Sequence, residues 1–186
     1  MRGSSYGLSS KSKLQTCNLL TYLLLLKPFD EHSALLWATT RCAQRECCRQ
    51  DIRKKWMDGG LDEDLCERLL DRLEDEGFID ESRYARAFVH DKLEYDHWGR
   101  IKMTQALRLK GIRRSTIDEA MAEVIDEDHY REVLRHILQQ KIRTLSFDTD
   151  DREESYKALQ KLVRFAASRG FEPDLIFQET DHLTED

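Results

Sequence analysis

Along the chain, apolar residues recur at helical spacing in short runs punctuated by glycine, and one arrangement returns three times. Around Gly60 the residues read KKWMDGGLDEDLCERLL, around Gly111 QALRLKGIRRSTIDEAM, and around Gly170 VRFAASRGFEPDLIFQE. Each glycine closes a basic amphipathic stretch and is followed at once by an apolar residue, Leu61, Ile112 or Phe171. Five or six positions after the glycine comes a second anchor: Leu65 and Cys66, Ile117, or Leu175 and Ile176. Such a glycine can take the left-handed conformation that closes a helix, and the next apolar residue then folds back onto it. The pattern predicts a helix, a glycine stop and a second helix, three times over.

The helix after Gly111 is the clearest, with Ile117, Ala120, Met121, Val124 and Ile125 at i, i+3, i+4, i+7 and i+8 and Ser115 three residues before Asp118 as a capping pair. Cys66, Leu69, Leu70 and Leu73 repeat the pattern after Gly60, where Asp62 is the candidate cap. After Gly170, Pro173 stands near a helix start, a position that tolerates proline. A further helix precedes each pair: residues 34–44, residues 81–94 capped by Asp80, and residues 128–142. In the second of these, Tyr84, Phe88 and Val89 make the apolar stripe, and His97, Trp98 and Gly99 end it. A charged stretch, 146–154, links the first two helices of the last unit.

The expected fold is therefore all-α, with three tandem three-helix, helix-turn-helix-like repeats at 34–79, 80–127 and 128–186 in an elongated, curved array, the last carrying a C-terminal tail. Units of this size have marginal cores, so neighbours are expected to pack against one another, loosely enough to bend. Residues 1–33 read as a poorly ordered or misassigned N-terminal extension, with an extra helix or a targeting segment as the alternatives. Its apolar run, 19–26, follows Lys11 and Lys13 but leads into Lys27, Pro28 and Phe29 without a small-residue cleavage site. The run is also well short of the ~20 apolar residues that span a membrane.

Charge changes the picture through its distribution. The formal net charge of -6 argues against a general nucleic-acid coat. Yet residues 37–60 carry six basic and three acidic residues, while 61–80 carry two and nine. Residues 81–114 then carry nine basic and four acidic, and 115–128 six acidic and no basic residue. First and second helices of the early units are positive and third helices negative. A helix-turn-helix transcription regulator would place the later helix in the major groove, where an acidic face meets phosphates. That reading remains as the alternative. The candidate contacts are Arg53, Lys54 and Lys55, then Arg83, Arg86, Arg100, Lys102, Arg108, Lys110, Arg113 and Arg114. The competing reading of each is pairing with the acidic third helices of adjacent units.

Reactive chemistry is not signalled. Cys17, Cys42, Cys47, Cys48 and Cys66 form an odd set without C-x-x-C spacing, which fits neither a disulfide framework nor a zinc site and suits a reducing cytoplasm. The six histidines have no metalloprotease spacing, Gly59-Gly60 lacks the following Gly-Lys-Ser/Thr of a phosphate loop, and Asp62 and Asp64 lie in solvated charge. No cofactor, metal or catalysis is expected. Tyr84, Phe88 and Phe171 have core spacing; Trp98, beside a break, is less committed.

Residues 76–112, EGFIDESRYARAFVHDKLEYDHWGRIKMTQALRLKGI, resemble the central block of RecX proteins: a glycine-aromatic-apolar-Asp turn, a helix with paired aromatics, then glycine, Arg-Ile and a Leu-x-x-Lys-Gly-Ile ending. Residues 45–56, RECCRQDIRKKW, are similar to the preceding block, in which the family usually has a hydroxyl residue where Cys48 stands. A thiol caps poorly, so that end is expected to fray or to use Asp51. The resemblance covers residues 34–178 and is weakest in the third unit. It implies a monomeric, non-enzymatic cytoplasmic regulator that lies along an active RecA filament on single-stranded DNA and restrains recombination and the SOS response. The basic residues would then meet RecA or the enclosed DNA.

Overall fold

The computed structural model describes residues 29–146 and 151–185; most of the expected extension, 1–28, lies outside the described residues. Among the described residues every regular element is helical: α1 (Glu31–Cys42), α2 (Arg49–Asp58), α3 (Glu63–Asp75), α4 (Glu81–Glu94), α5 (Arg100–Leu109), α6 (Arg114–Val124), α7 (Glu127–Ile142), α8 (Arg152–Arg169) and α9 (Pro173–Glu185). They form three successive triplets, the all-α repeat that the glycine pattern predicts.

The three glycine stops are built alike. Gly60, Gly111 and Gly170 have φ of +83°, +81° and +89°. The amide of the next residue reaches back five positions: Leu61 to the Trp56 carbonyl at 3.0 Å, Ile112 to Leu107 at 3.2 Å and Phe171 to Ala166 at 3.3 Å. A left-handed glycine makes that reach possible. Leu61, Ile112 and Phe171 are buried, so each stop also aims the helix that follows.

Most helix starts follow local chemistry. Asp62 accepts from the Leu65 amide at 3.2 Å and Asp80 from the Arg83 amide at 2.8 Å. Helix α1 begins before residue 34 because Asp30 and Ser33 cap each other's amides, at 2.8 and 3.1 Å. The Ser115–Asp118 cap does not form. After the Gly111 stop one extended residue, Arg113, leads into the helix, so Ser115 already lies in the first turn and Asp118 pairs with Arg114 at 2.7 Å. The expected link 146–154 ends earlier, because Asp151 accepts from the amides of Glu153 and Glu154 and starts α8 at Arg152; positions 147–150 lie outside the described residues. On α4 the buried stripe is Ala85, Val89 and Leu93. Tyr84 and Phe88 are half-buried on its flank, because the small Ala85 lets α4 close onto α6 and leaves the rings toward the first unit.

Two apolar cores result. One belongs to the first triplet and is centred on Ile52, Trp56, Leu70 and Leu73. The other runs unbroken through the second and third, from Val89 and Leu107 to Leu134, Phe171 and Ile176. Neighbouring units do pack against one another, by polar ties at the first joint and by a shared core at the second.

Candidate docking surface

At the first joint, Lys110 from the end of α5 reaches Asp51 on α2 at 2.6 Å, and Arg83 on α4 reaches Glu46 at 3.0 Å. Cys48 stands at the N-cap position of α2 without capping it; its thiol donates to the Lys110 carbonyl at 3.5 Å. Asp51, the alternative cap, is committed to Lys110. These ties border a groove of about 610 Å³ whose walls include Trp37, Arg41 and Lys55 from one unit and Tyr84, Phe88 and Lys92 from the next. Burial pushes the Cys48 thiol and the Tyr84 phenol up, toward their neutral forms. For Lys110, burial favours the neutral amine, but Asp51 and Tyr84 together outweigh it and the net shift is upward. The neutral thiol and phenol are weak nucleophiles, and the charged Lys110 stays paired with Asp51.

At the second joint the backbones of the two units touch. The Gly99 amide donates to the Arg169 carbonyl at 2.9 Å and the Ile101 amide to the Gly170 carbonyl at 3.0 Å. The Tyr130 hydroxyl, buried with its ring, accepts from the Arg100 amide at 2.9 Å and donates to Glu172 at 2.7 Å. Burial raises the phenol, which keeps that proton in place. The Arg100 guanidinium lies 4.2 Å from the Tyr130 ring centroid and pairs with Glu127 and Glu172.

The structure thus divides the eleven candidate basic residues. Arg53 pairs with Glu63 and Glu67 of its own third helix, and Arg86 with Glu123 of its own third helix at 3.4 Å. Arg83, Arg100 and Lys110 tie units together, and Arg114 pairs along its own helix. Arg113 comes only within 3.9 Å of Glu81 and is largely exposed. Lys54, Lys55, Lys102 and Arg108 make no ion pair with the described residues. The competing reading is therefore correct in kind and wrong in partner. In the first unit the second and third helices pack side by side, so Arg53 meets the acidic row of α3, and in the second unit Arg86 on the first helix meets Glu123 on the third. Helix α3, which a helix-turn-helix protein would offer to DNA, turns Glu67, Asp71 and Glu74 onto Arg49.

The chain matches the second three-helix domain of RecX over residues 80–121 and the third over residues 128–178. It is 34% identical over 135 residues to the regulatory protein RecX of Pseudomonas fluorescens, covering 72% of this chain and 81% of the relative. The chain belongs to the RecX family. The regulatory protein RecX of Clostridium botulinum (strain Eklund 17B) is 33% identical over 127 residues, 68% of this chain, and the match spans 57% of that relative's length. The crystal structure of RecX from Lactobacillus salivarius superposes with a TM-score of 0.69 at 17% identity, covering 84% of this chain and 97% of that one, which shows the shared fold.

Its named RecX relatives are regulatory proteins, and among the described residues no helix is long and apolar enough to cross a membrane. Sequence reasoning missed Glu46, Asp51, Tyr130 and Glu172, the partners at the joints. Nothing in their local sequence distinguishes them from other polar residues. Arg49 was also missed, although its four-residue spacing from Arg53 opposite the acidic row on α3 is a readable signal.

Proposed function

We propose that this RecX-family chain is a negative regulator of a RecA-type recombinase: it docks on the filament that RecA forms on single-stranded DNA and limits its activity in recombination and the SOS response. The observation that carries this reading is a set of cations without an ion pair among the described residues on the middle helices of tandem units, Lys54 and Lys55 on α2 and Lys102 and Arg108 on α5, whereas Arg49, Arg53, Arg83, Arg86, Arg100 and Lys110 are spent inside the molecule. Tandem units in a curved array can touch successive protomers, so modest contacts accumulate through effective concentration. Exposed Arg113 belongs with this set. Arg53, Arg83, Arg86, Arg100 and Lys110 serve mainly to hold the units, and Arg114 pairs along its own helix.

The test is single-stranded-DNA-dependent ATP hydrolysis by RecA from the same organism. Wild-type protein is expected to suppress it. Reversing Lys54, Lys55, Lys102 and Arg108 together to Glu should raise the concentration needed at least tenfold while the melting curve holds. Reversal of Arg100 or Lys110 would instead disturb the joints. No suppression by folded wild-type protein overturns the proposal.

A further inference from the structure

Across the joint between the second and third units, two aromatic rings each carry two cations. Lys92 and Lys102 place their ammonium groups 4.9 and 4.3 Å from the Trp98 ring centroid. Lys141 and Arg169 lie 5.6 and 5.5 Å from Phe165. One carboxylate, Asp96, joins the groups: Lys92 pairs with it, and Arg169 donates to its backbone carbonyl at 2.7 Å. The Lys92 hydrogen bond holds the Asp96 carboxyl below the usual range, and Arg169 and Lys102 add to this through their charge. All four cations are half-buried, their stems lying along the protein. Lys92, Lys102 and Arg169 all act on Asp96, and Lys141 shares the Phe165 ring with Arg169; among the described residues the four cations have no ion pair besides Lys92–Asp96, so positive charge is in excess.

Resting a cation on a ring fixes the long side chain without consuming its charge, so little entropy remains to be lost when an anion arrives. Each ring is already engaged by two cations, which leaves it less open to stacking bases. A ligand here meets positive charge spread over two units and few groups able to read bases. The geometry points to the phosphodiester backbone of a nucleic-acid strand as the ligand of the Trp98–Phe165 platform, bound without regard to base sequence. This rests on the reading above only in identifying that strand with the DNA inside a recombinase filament. The patch adds Lys92, Lys141 and Arg169 to the contacts considered there.

The test uses the full chain and a fluorescently labelled oligodeoxythymidylate, without RecA. Wild-type binding should weaken with salt along a log–log slope of roughly -3, as four cations on a single strand give. Lys102→Glu with Lys141→Glu should lower affinity at least tenfold and bring the slope to roughly -1.5, while Lys102→Arg with Lys141→Arg should retain both. Excess inorganic phosphate at matched ionic strength should not compete. If it does at low concentration, the site holds a lone phosphate and the strand assignment fails. Unchanged binding and slope in the folded Glu variant overturn the inference. If that variant loses RecA suppression yet still binds the oligonucleotide, the patch faces protein; the inference fails and the proposed function stands. If wild-type protein binds the strand through these residues but never suppresses RecA, the proposed function fails and the inference stands.

Discussion

Gly99 and Gly170 meet backbone to backbone: a methyl group on Gly99 would lie 2.2 Å from the Gly170 carbonyl oxygen, and one on Gly170 would lie 2.3 Å from Cβ of Lys102. The opposing atoms belong largely to backbone already committed to the hydrogen bonds of the joint. Gly99→Ala should therefore part the second and third units and cost about 3 kcal/mol, whereas Gly111→Ala, where nothing lies within 4 Å, should cost about 1 kcal/mol of left-handed strain. Urea titration of the two variants compares them directly. Equal losses would mean the close approach is relieved by small backbone shifts.

Tyr130 joins the third unit to the second through its hydroxyl, which accepts from the Arg100 amide, and through its ring, against which the Arg100 guanidinium lies. Tyr130→Phe keeps the ring against Phe171, 5.1 Å between centroids, but leaves the Arg100 amide without its acceptor and Glu172 Oε2 without the hydroxyl donor. The expected loss is about 2 kcal/mol, with a faster-exchanging Arg100 amide in hydrogen-exchange measurements. A variant as stable as wild type would show that water replaces the hydroxyl freely.

Glu179 on α9 is fully buried and held by Arg131 and Arg135 of α7. Replacing both arginines with Met leaves a buried carboxylate without counter-charge and should destabilise the chain by about 3 kcal/mol. Adding Glu179→Met to that background should recover most of the loss, because the group whose burial is costly has gone. Additive destabilisation in the triple variant would contradict this account.

Acid should unfold the protein through a few carboxylates. Asp80 is held down by the Arg83 amide it caps, Glu67 by hydrogen bonds from Arg49 and then Arg53, and Asp96 by Lys92. Each folded-state value lies below the unfolded one, so the folded state favours the charged form. That stability is present above about pH 4 and disappears as pH falls below it. Denaturation midpoints should hold from pH 7 to about pH 5 and then fall. Asp80→Asn, which can still cap, should make the fall shallower. Midpoints that rise below pH 4 would reverse the sign.

The sequence by itself determined the repeat. A glycine at a left-handed turn, a buried residue after it and an amphipathic run on either side are local requirements, and Gly60, Gly111 and Gly170 satisfy them within a dozen residues each. Capping by Asp62 and Asp80 is equally local and equally legible. Ser115 shows the limit: its spacing from Asp118 is right, but the turn before it sets the helix start two residues earlier, with Arg113 at the N-cap position.

Only the tertiary structure decided which cations remain available. Arg100 and Arg108 look alike in the sequence; one is folded against Tyr130 and two carboxylates, and the other stands in solvent. Lys92, Lys141 and Arg169 gather from three helices around Trp98 and Phe165, a juxtaposition with no sequence period. Likewise, one joint became polar and the other a continuous core because the side chains meeting there come from positions up to about seventy residues apart. Ion pairs and shared cores depend on distances of a few ångströms between such positions, and the pattern along a chain constrains only neighbours within a few helical turns.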